Sequence, residues 1–184
     1  KAQGFFMGRP VPADQVNQWL QQRKLALEHQ RLKALESLKI MDTPAEQRFD
    51  RITRLAKRMF DVPIALITLL DEERQWFKSK FGLDASETPR EQAFCNYTIE
   101  QEKSFIVNDA TIDVRFNDNP LVLNAPFIRF YAGFPIRAPG GERLGALCLI
   151  DHKPRYISER DSRLLGELAL MVEEEIATNQ LLCE

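Results

Sequence analysis

The sequence predicts an α+β fold: an antiparallel sheet flanked by helices, with a long helix at each end of the chain. Three observations lead there. Two short runs, Val62 to Leu70 and Leu144 to Ile150, are apolar at both alternating sets of positions, as a strand covered on both faces is. Each run lies beside a turn signal and a second strand-like segment, so the strands pair as hairpins. Long stretches with apolar residues at helical spacing precede the first run and follow the last.

The elements follow in order. Lys1 to Pro12 holds Gly4, Gly8, Pro10 and Pro12 around Phe5, Phe6 and Met7, which makes it a loop or short strand. Ala13 to Thr43 contains no Gly or Pro and predicts a helix, with an apolar seam through Leu25, Leu32, Leu35 and Leu38. Pro44 disfavours helical geometry at Thr43, so this helix should stop there. Thr43, Pro44 and Glu46 then have the spacing of a capping box with proline at the first helical position, opening a second helix to about Phe60. Its buried stripe would be Phe49, Ile52, Leu55, Ala56 and Met59.

Val62 to Leu70 predicts a central strand, Asp71-Glu72-Glu73 a turn, and Arg74 to Phe81 an outer strand with scattered charges. Gly82 to Arg90 reads as a loop, Glu91 to Ile99 as a short helix, and Ser104 to Val107 as a short strand. Asn108 to Asn119 is polar and irregular, and Asn119-Pro120 is a cap and first position of another short helix. Phe130 to Arg137 and Arg143 to Ile150 form the second hairpin across Pro139-Gly140-Gly141. Gly133 and Gly145 inside these strands mark a bulge or a close backbone approach. Ser158 and Asp161 can cap a last helix, with Leu164, Leu165, Leu168, Met171, Val172 and Ile176 as its stripe.

Composition narrows the function. The 184 residues suit one domain with a short extension, and 44% hydrophobic residues are enough for a core. A net charge of −2 leaves no basic surplus to neutralise a phosphate backbone, so nucleic acid is not an expected partner. No apolar run approaches the ~20 residues that a membrane-spanning helix needs, so direct membrane insertion is not expected. Cys95, Cys148 and Cys183 form no C-x-x-C pair, which points to a reducing, cytoplasmic setting rather than a disulfide scaffold. His29 and His152 are isolated, so no zinc site is expected. A start at Lys1 without an initiator Met reads as a segment of a longer protein, and an end inside a helix implies a further domain.

From Arg31 to about Gln180 the chain resembles the bacterial GAF domain family through separated motifs in order. They are Leu38-Lys39-Ile40-Met41-Asp42-Thr43-Pro44, Phe49-Asp50-Arg51-Ile52, Asp71 with Arg74-Gln75-Trp76-Phe77-Lys78, and Thr88-Pro89-Arg90. Phe94-Cys95, Asp109-Ala110, Asp113-Val114-Arg115-Phe116, Tyr131-Ala132-Gly133 and Leu144 to Asp151 follow. The resemblance implies a GAF-like central antiparallel sheet of about six strands. It places the terminal helices on one face and a small-molecule pocket, with short helices and loops, on the other. Separately, Gln3 to Asp14 with Trp19-Leu20 resembles the tail of an EAL domain, the cyclic di-GMP phosphodiesterase module, without its metal-binding carboxylates. The implied organisation is a tail of that module over 1–20, a connecting helix over 21–42, a GAF domain over 43–180 and the start of a connector over 181–184.

Candidate binding residues follow from chemistry. Trp76, Phe94, Phe116, Phe130 and Tyr131 could line an apolar pocket or simply pack the core. Asp109, Asp113 and Arg115 could meet a polar or anionic ligand, although paired charges in a loop more often fix its shape. Cys95 and Cys148 could sense redox change, although a cysteine in a central apolar strand is more often inert packing. Cys95 is followed by Asn96 and Tyr97, where bilin-binding relatives carry a Cys-His pair, so no covalent bilin is expected. Neither histidine sits on a pocket strand, so no haem is expected.

The expected function is a regulatory small-molecule sensor, itself without catalytic residues, controlling attached domains that turn over cyclic di-GMP. Such a parent would be a phosphodiesterase, a diguanylate cyclase or both. The stripes of the terminal helices would join two copies as a homodimer. A ligand-free dimerisation spacer and a cysteine-based redox sensor or enzyme are the alternatives.

Overall fold

The computed structural model describes residues 13–183. The loop or short strand read over Lys1 to Pro12, and most of the EAL-like tail, lie outside the described residues. Helix α1 spans Ala13–Ser37, and α2 spans Gln47–Phe60. Strands β1 (Ile64–Leu70), β2 (Arg74–Phe81) and β3 (Glu87–Pro89) follow, then a 3-10 turn (Arg90–Gln92) and α3 (Cys95–Thr98). After β4 (Phe105–Val107) and α4 (Pro120–Leu123) come β5 (Phe130–Arg137), β6 (Arg143–Asp151) and the last helix, α5 (Glu159–Cys183).

The six strands form one sheet in the order β3-β2-β1-β6-β5-β4, with every neighbouring pair antiparallel. The fold class is therefore the expected α+β arrangement. The two doubly apolar runs, β1 and β6, lie side by side at its centre. Alternation sends their side chains to opposite layers. Ala65, Ile67, Leu69, Leu147 and Leu149 pack with Leu35, Phe49, Ile52, Leu165 and Val172 of the helices. Ile64, Leu66, Cys148 and Ile150 pack beneath the loops and short helices of the other face. Gly145 allows this pairing, because a Cβ there would lie 1.8 Å from the carbonyl oxygen of Thr68.

Three expectations are corrected. Helix α1 ends at Ser37, before Thr43, because Lys39 and Asp42 adopt left-handed backbone conformations (φ 48° and 58°). The turn they make drives Leu38 and Ile40 into the core. Helix α2 begins at Gln47, and no capping box forms. Both of its intended members serve the buried Lys78 instead: its ammonium donates to Thr43 Oγ1 at 2.6 Å and pairs with Glu46 at 2.5 Å. Of the predicted stripe, Leu55 and Met59 are exposed; the buried face is Phe49, Ile52, Thr53 and Ala56, a narrower i, i+3, i+4, i+7 set. Third, β2 is not an outer strand. Glu87-Thr88-Pro89, within the predicted loop, adds β3 beyond it, with its proline on the sheet edge.

The last helix starts as expected. Ser158 Oγ accepts from the Asp161 amide at 3.1 Å, and Asp161 Oδ2 accepts from Ser158 Oγ at 2.8 Å. Leu165, Leu168, Ala169, Val172 and Ile176 are its buried side, while Met171 is exposed. Among the described residues, no helix is long and apolar enough to cross a membrane.

Candidate functional site

The face of the sheet away from the long helices carries a cavity of about 320 Å³. Its floor is the sheet: Leu66 of β1, Gln75 and Phe77 of β2, Tyr131 of β5, and Cys148 and Ile150 of β6. Phe94 and Cys95, where the chain enters α3, close one end. The segment after β2 (Leu83, Asp84, Ala85) and the segment around α4 (Leu121, Pro126, Ile128) form the rim. The α4 segment stands where it does because Asn119 caps it, accepting from the Leu121 amide at 2.9 Å and donating to Gln92 O at 3.0 Å.

The structure divides the ten sequence-derived candidates into four groups. Phe94, Cys95, Tyr131 and Cys148 line the cavity. Phe116 stands behind them, stacked on Phe94 with ring centroids 3.9 Å apart. Trp76 and Phe130 belong to the helix-side core, because the two-residue period of β2 and β5 turns them away from Gln75, Phe77 and Tyr131. Asp109, Asp113 and Arg115 lie in the loop before α4 and do not line the cavity. Asp109 accepts from the backbone amide and hydroxyl of Thr111. Arg115 forms a two-point pair with Asp113 (2.8 and 2.5 Å), with its guanidinium over the rings of Phe105 and Phe116 at 4.9 and 5.4 Å. Hydrogen bonding from Arg115 holds the Asp113 carboxyl below the usual carboxylate range. This arrangement pins the loop over an aromatic cluster.

Three polar residues of the lining, Gln75, Asp84 and Thr88, were not among the candidates. Gln75 is 6% exposed; its amide donates to Thr88 Oγ1 at 3.2 Å, while its carbonyl oxygen is buried without a hydrogen-bond partner. Strand alternation could have found it, since it is the uncharged polar residue two before Phe77. Behind the lining, Thr68 and Thr98 join Tyr131 and the two cysteines in one cluster. Thr98 Oγ1 lies 2.7 Å from Tyr131 Oη, and Thr68 Oγ1 and Tyr131 Oη each lie 3.2 Å from Cys95 Sγ. The two sulfurs are 3.2 Å apart. No sequence signal joins residues this far apart in the chain. His29 and His152 are both exposed and outside the cavity lining.

Sheet, helix layer and covered cavity together define an α+β domain built around a pocket on the sheet face opposite its long helices. The chain belongs to the GAF domain family, whose model matches residues 44–176. A cyclic di-GMP phosphodiesterase of Pseudomonas aeruginosa is 44% identical over 152 residues, which is 82% of this chain and 26% of that protein. The chain thus spans about a quarter of the length of that relative. Among solved structures, free methionine-R-sulfoxide reductase from Neisseria meningitidis superposes with a TM-score of 0.59 at 16% identity, covering 88% of this chain and 94% of the other. The GAF domain of an Acinetobacter phosphoenolpyruvate-protein phosphotransferase gives 0.58 at 18% identity, covering 82% and 96%. At these identities the two likenesses show the fold.

Proposed function

We propose that this domain is a regulatory sensor that binds a small, largely apolar molecule through one hydrogen-bond donor. The carrying observation is Gln75. A buried carbonyl without a partner costs about 1–3 kcal/mol, and here it belongs to a residue lining an otherwise mostly apolar cavity. A ligand N–H or O–H would recover that cost, and the surrounding Leu66, Phe77 and Ile150 would exclude water. The same observations weigh against the ligand-free spacer, whose pocket would be filled by side chains. No histidine lines the cavity, and among the described residues no group of three or more His, Cys, Asp or Glu could hold a metal ion, so the proposal includes neither a histidine-ligated haem nor a zinc ion, and Asn96 beside Cys95 does not favour a covalent bilin.

The kinship with a cyclic di-GMP phosphodiesterase supports placing the domain in a parent that turns over cyclic di-GMP. In that parent, 1–20 would end an EAL module, 21–42 would connect it to the GAF domain at 43–180, and 181–184 would begin the next connector. Every residue from 15 to 27 is exposed, including Val16, Trp19, Leu20, Leu25 and Leu27, which supports a homodimer through the terminal helices. The setting is cytoplasmic, without nucleic acid and without membrane insertion by this segment.

The test is native mass spectrometry of the purified chain beside a thermal-shift screen of metabolites, on wild type and Gln75→Leu. A bound or stabilising molecule whose effect falls at least tenfold in affinity with Gln75→Leu is expected. A molecule bound equally by both forms, or no binding by either, sinks the reading.

A further inference from the structure

We propose that Cys95 and Cys148 form a reversible dithiol–disulfide couple in the wall of the cavity, oxidised by a hydroperoxide small enough to enter it. The couple goes beyond the sensor reading and does not depend on the organic ligand. Cys95 opens α3 and Cys148 lies on the central strand β6, and the fold brings their sulfurs to 3.2 Å. A disulfide bond is about 2.0 Å long, so roughly 1.2 Å of closure separates contact from bond. Both residues line the cavity, which gives a small oxidant a route to otherwise buried sulfur.

The surroundings differ from those of an inert core thiol, which packs as a small hydrophobe. Thr68 Oγ1 is 3.2 Å from Cys95 Sγ and 3.8 Å from Cys148 Sγ, and Tyr131 Oη is 3.2 and 3.4 Å from the same atoms. Thr68 Oγ1 also donates to Ala146 O at 3.2 Å, so its single proton is shared, and the donors that Cys95 can accept from are the Tyr131 hydroxyl and the Cys148 thiol, which favour its thiolate. Burial alone would push both thiols up; hydrogen bonding with Cys148, Thr68 and Tyr131 brings Cys95 below the ordinary cysteine value. Burial keeps Cys148 well above it, reinforced by its bond to Cys95. Cys95 stands closer to both hydroxyls, while the Cys148 thiol has its own acceptor in Ala146 O at 3.7 Å; this geometry makes Cys95 the attacking sulfur and Cys148 the resolving one.

The chemistry balances. Cys95 gives up its thiol proton and its thiolate attacks the terminal oxygen of the hydroperoxide; an S–O bond forms, the O–O bond breaks, and the leaving oxygen takes up that proton as water or alcohol. Cys95 is then a sulfenic acid. The Cys148 sulfur attacks it, the S–S bond forms and the S–O bond breaks, and the hydroxyl leaves with the Cys148 proton as water. The two sulfurs have lost two electrons and two protons, and the peroxide has gained them. An external thiol reductant reverses the step by exchange. Oxidation would tether α3 to β6 and remove both S–H groups from the hydroxyl cluster.

The test uses the full chain carrying Cys183→Ser, so that only this pair remains. Hydrogen peroxide is added to the folded protein, which is then unfolded with an alkylating agent, digested and mapped by mass spectrometry. The expected product joins the Cys95 and Cys148 peptides, is lighter by two hydrogens, and is lost on treatment with dithiothreitol. With Cys148→Ser added, the same treatment should leave a sulfenic acid on Cys95 that dimedone traps. Complete alkylation of both cysteines after peroxide, or oxidation of either without a crosslink in the Cys183→Ser protein, overturns the proposal.

Discussion

Arg90 and Glu28 join the wall of the cavity to the first long helix through charged groups 2.6 Å apart. Arg90 lies a few residues before Cys95, and it also donates to Asp71 O at 2.6 Å and to Asn96 Oδ1 at 3.0 Å. Glu28 receives Arg31 at 2.7 Å, and Arg31 in turn donates to Leu70 O at 2.6 Å at the end of the central strand. One carboxylate thus ties α1, the sheet end and the segment carrying Cys95 together. A movement of that segment would meet α1 here, and again where Lys24 pairs with Glu100 at 3.0 Å, which are the physical contacts that a sensor requires.

Glu28→Gln should uncouple that junction and show it in the pH dependence. Hydrogen bonding from Arg31, opposed by partial burial and reinforced by Arg90, holds the Glu28 carboxyl down at about 2 from its ordinary 4.5. A depressed folded value means stability that is present above pH 4.5 and lost as pH falls toward 2. Because the group is partly in water, the contribution is on the order of 1 kcal/mol. Urea unfolding should show the variant weaker than wild type by that amount at pH 7, with the gap closing across the acid window. A gap that persists at pH 2 would show that the effect is not the carboxylate.

Lys78 gives a second test, because its side chain has no exposed surface. Its ammonium is held by Glu46, Thr43 Oγ1 and Pro44 O. Removing the acid strands a buried cation, which typically costs about 3 kcal/mol, whereas replacing the cation by an apolar chain of similar length costs far less. Glu46→Ala should therefore destabilise more than Lys78→Met in chemical denaturation. The reverse order would mean that the ammonium is solvated in solution.

The sheet and the helix layer were legible in the sequence because they rest on local periodicity. The double apolar alternation of Val62 to Leu70 needs only its own residues to be read as a central strand. The same limit explains the errors. Thr43 and Glu46 have a capping-box spacing, but a lysine more than thirty residues away claims both. Trp76 and Gln75 are neighbours in sequence, and only the phase of the strand decides that the amide reaches the cavity and the indole the helices. Phe94, Cys95, Tyr131 and Cys148 could be picked out as residue types, but their convergence is a property of the register between β5 and β6 and of the placement of α3.

That register makes Gly145→Ala a severe change. A Cβ at this position would meet the Thr68 carbonyl oxygen at 1.8 Å and its carbon at 2.7 Å, both backbone atoms of the neighbouring strand. Backbone cannot rotate aside as a side chain can, so β1 and β6 must part at the centre of the sheet. A loss of at least ~3 kcal/mol is expected, at the upper end for overpacking. Near wild-type urea stability for this variant would show that the two strands do not pair as described.

The exposed part of α1 carries the last prediction. Val16, Trp19, Leu20 and Leu27 fall within one side of the helix at 100° per residue, and all four are exposed. Trp19 has the Arg23 guanidinium over its ring at 5.3 Å, which shields one side of the indole without burying it. An apolar stripe of this kind is unusual on a helix that ends its days in water, and a second copy of the same stripe across a two-fold axis would cover it. The domain should therefore sediment as a dimer at high micromolar concentration. Trp19→Glu with Leu27→Glu should give a folded monomer whose melting temperature, unlike that of wild type, does not rise with protein concentration, because neither side chain supports its own core. A wild type that stays monomeric would leave α1 as a rigid connector only, and any signal from the cavity would then have to pass along one chain, with Arg90–Glu28 and Lys24–Glu100 as the ion pairs that reach α1.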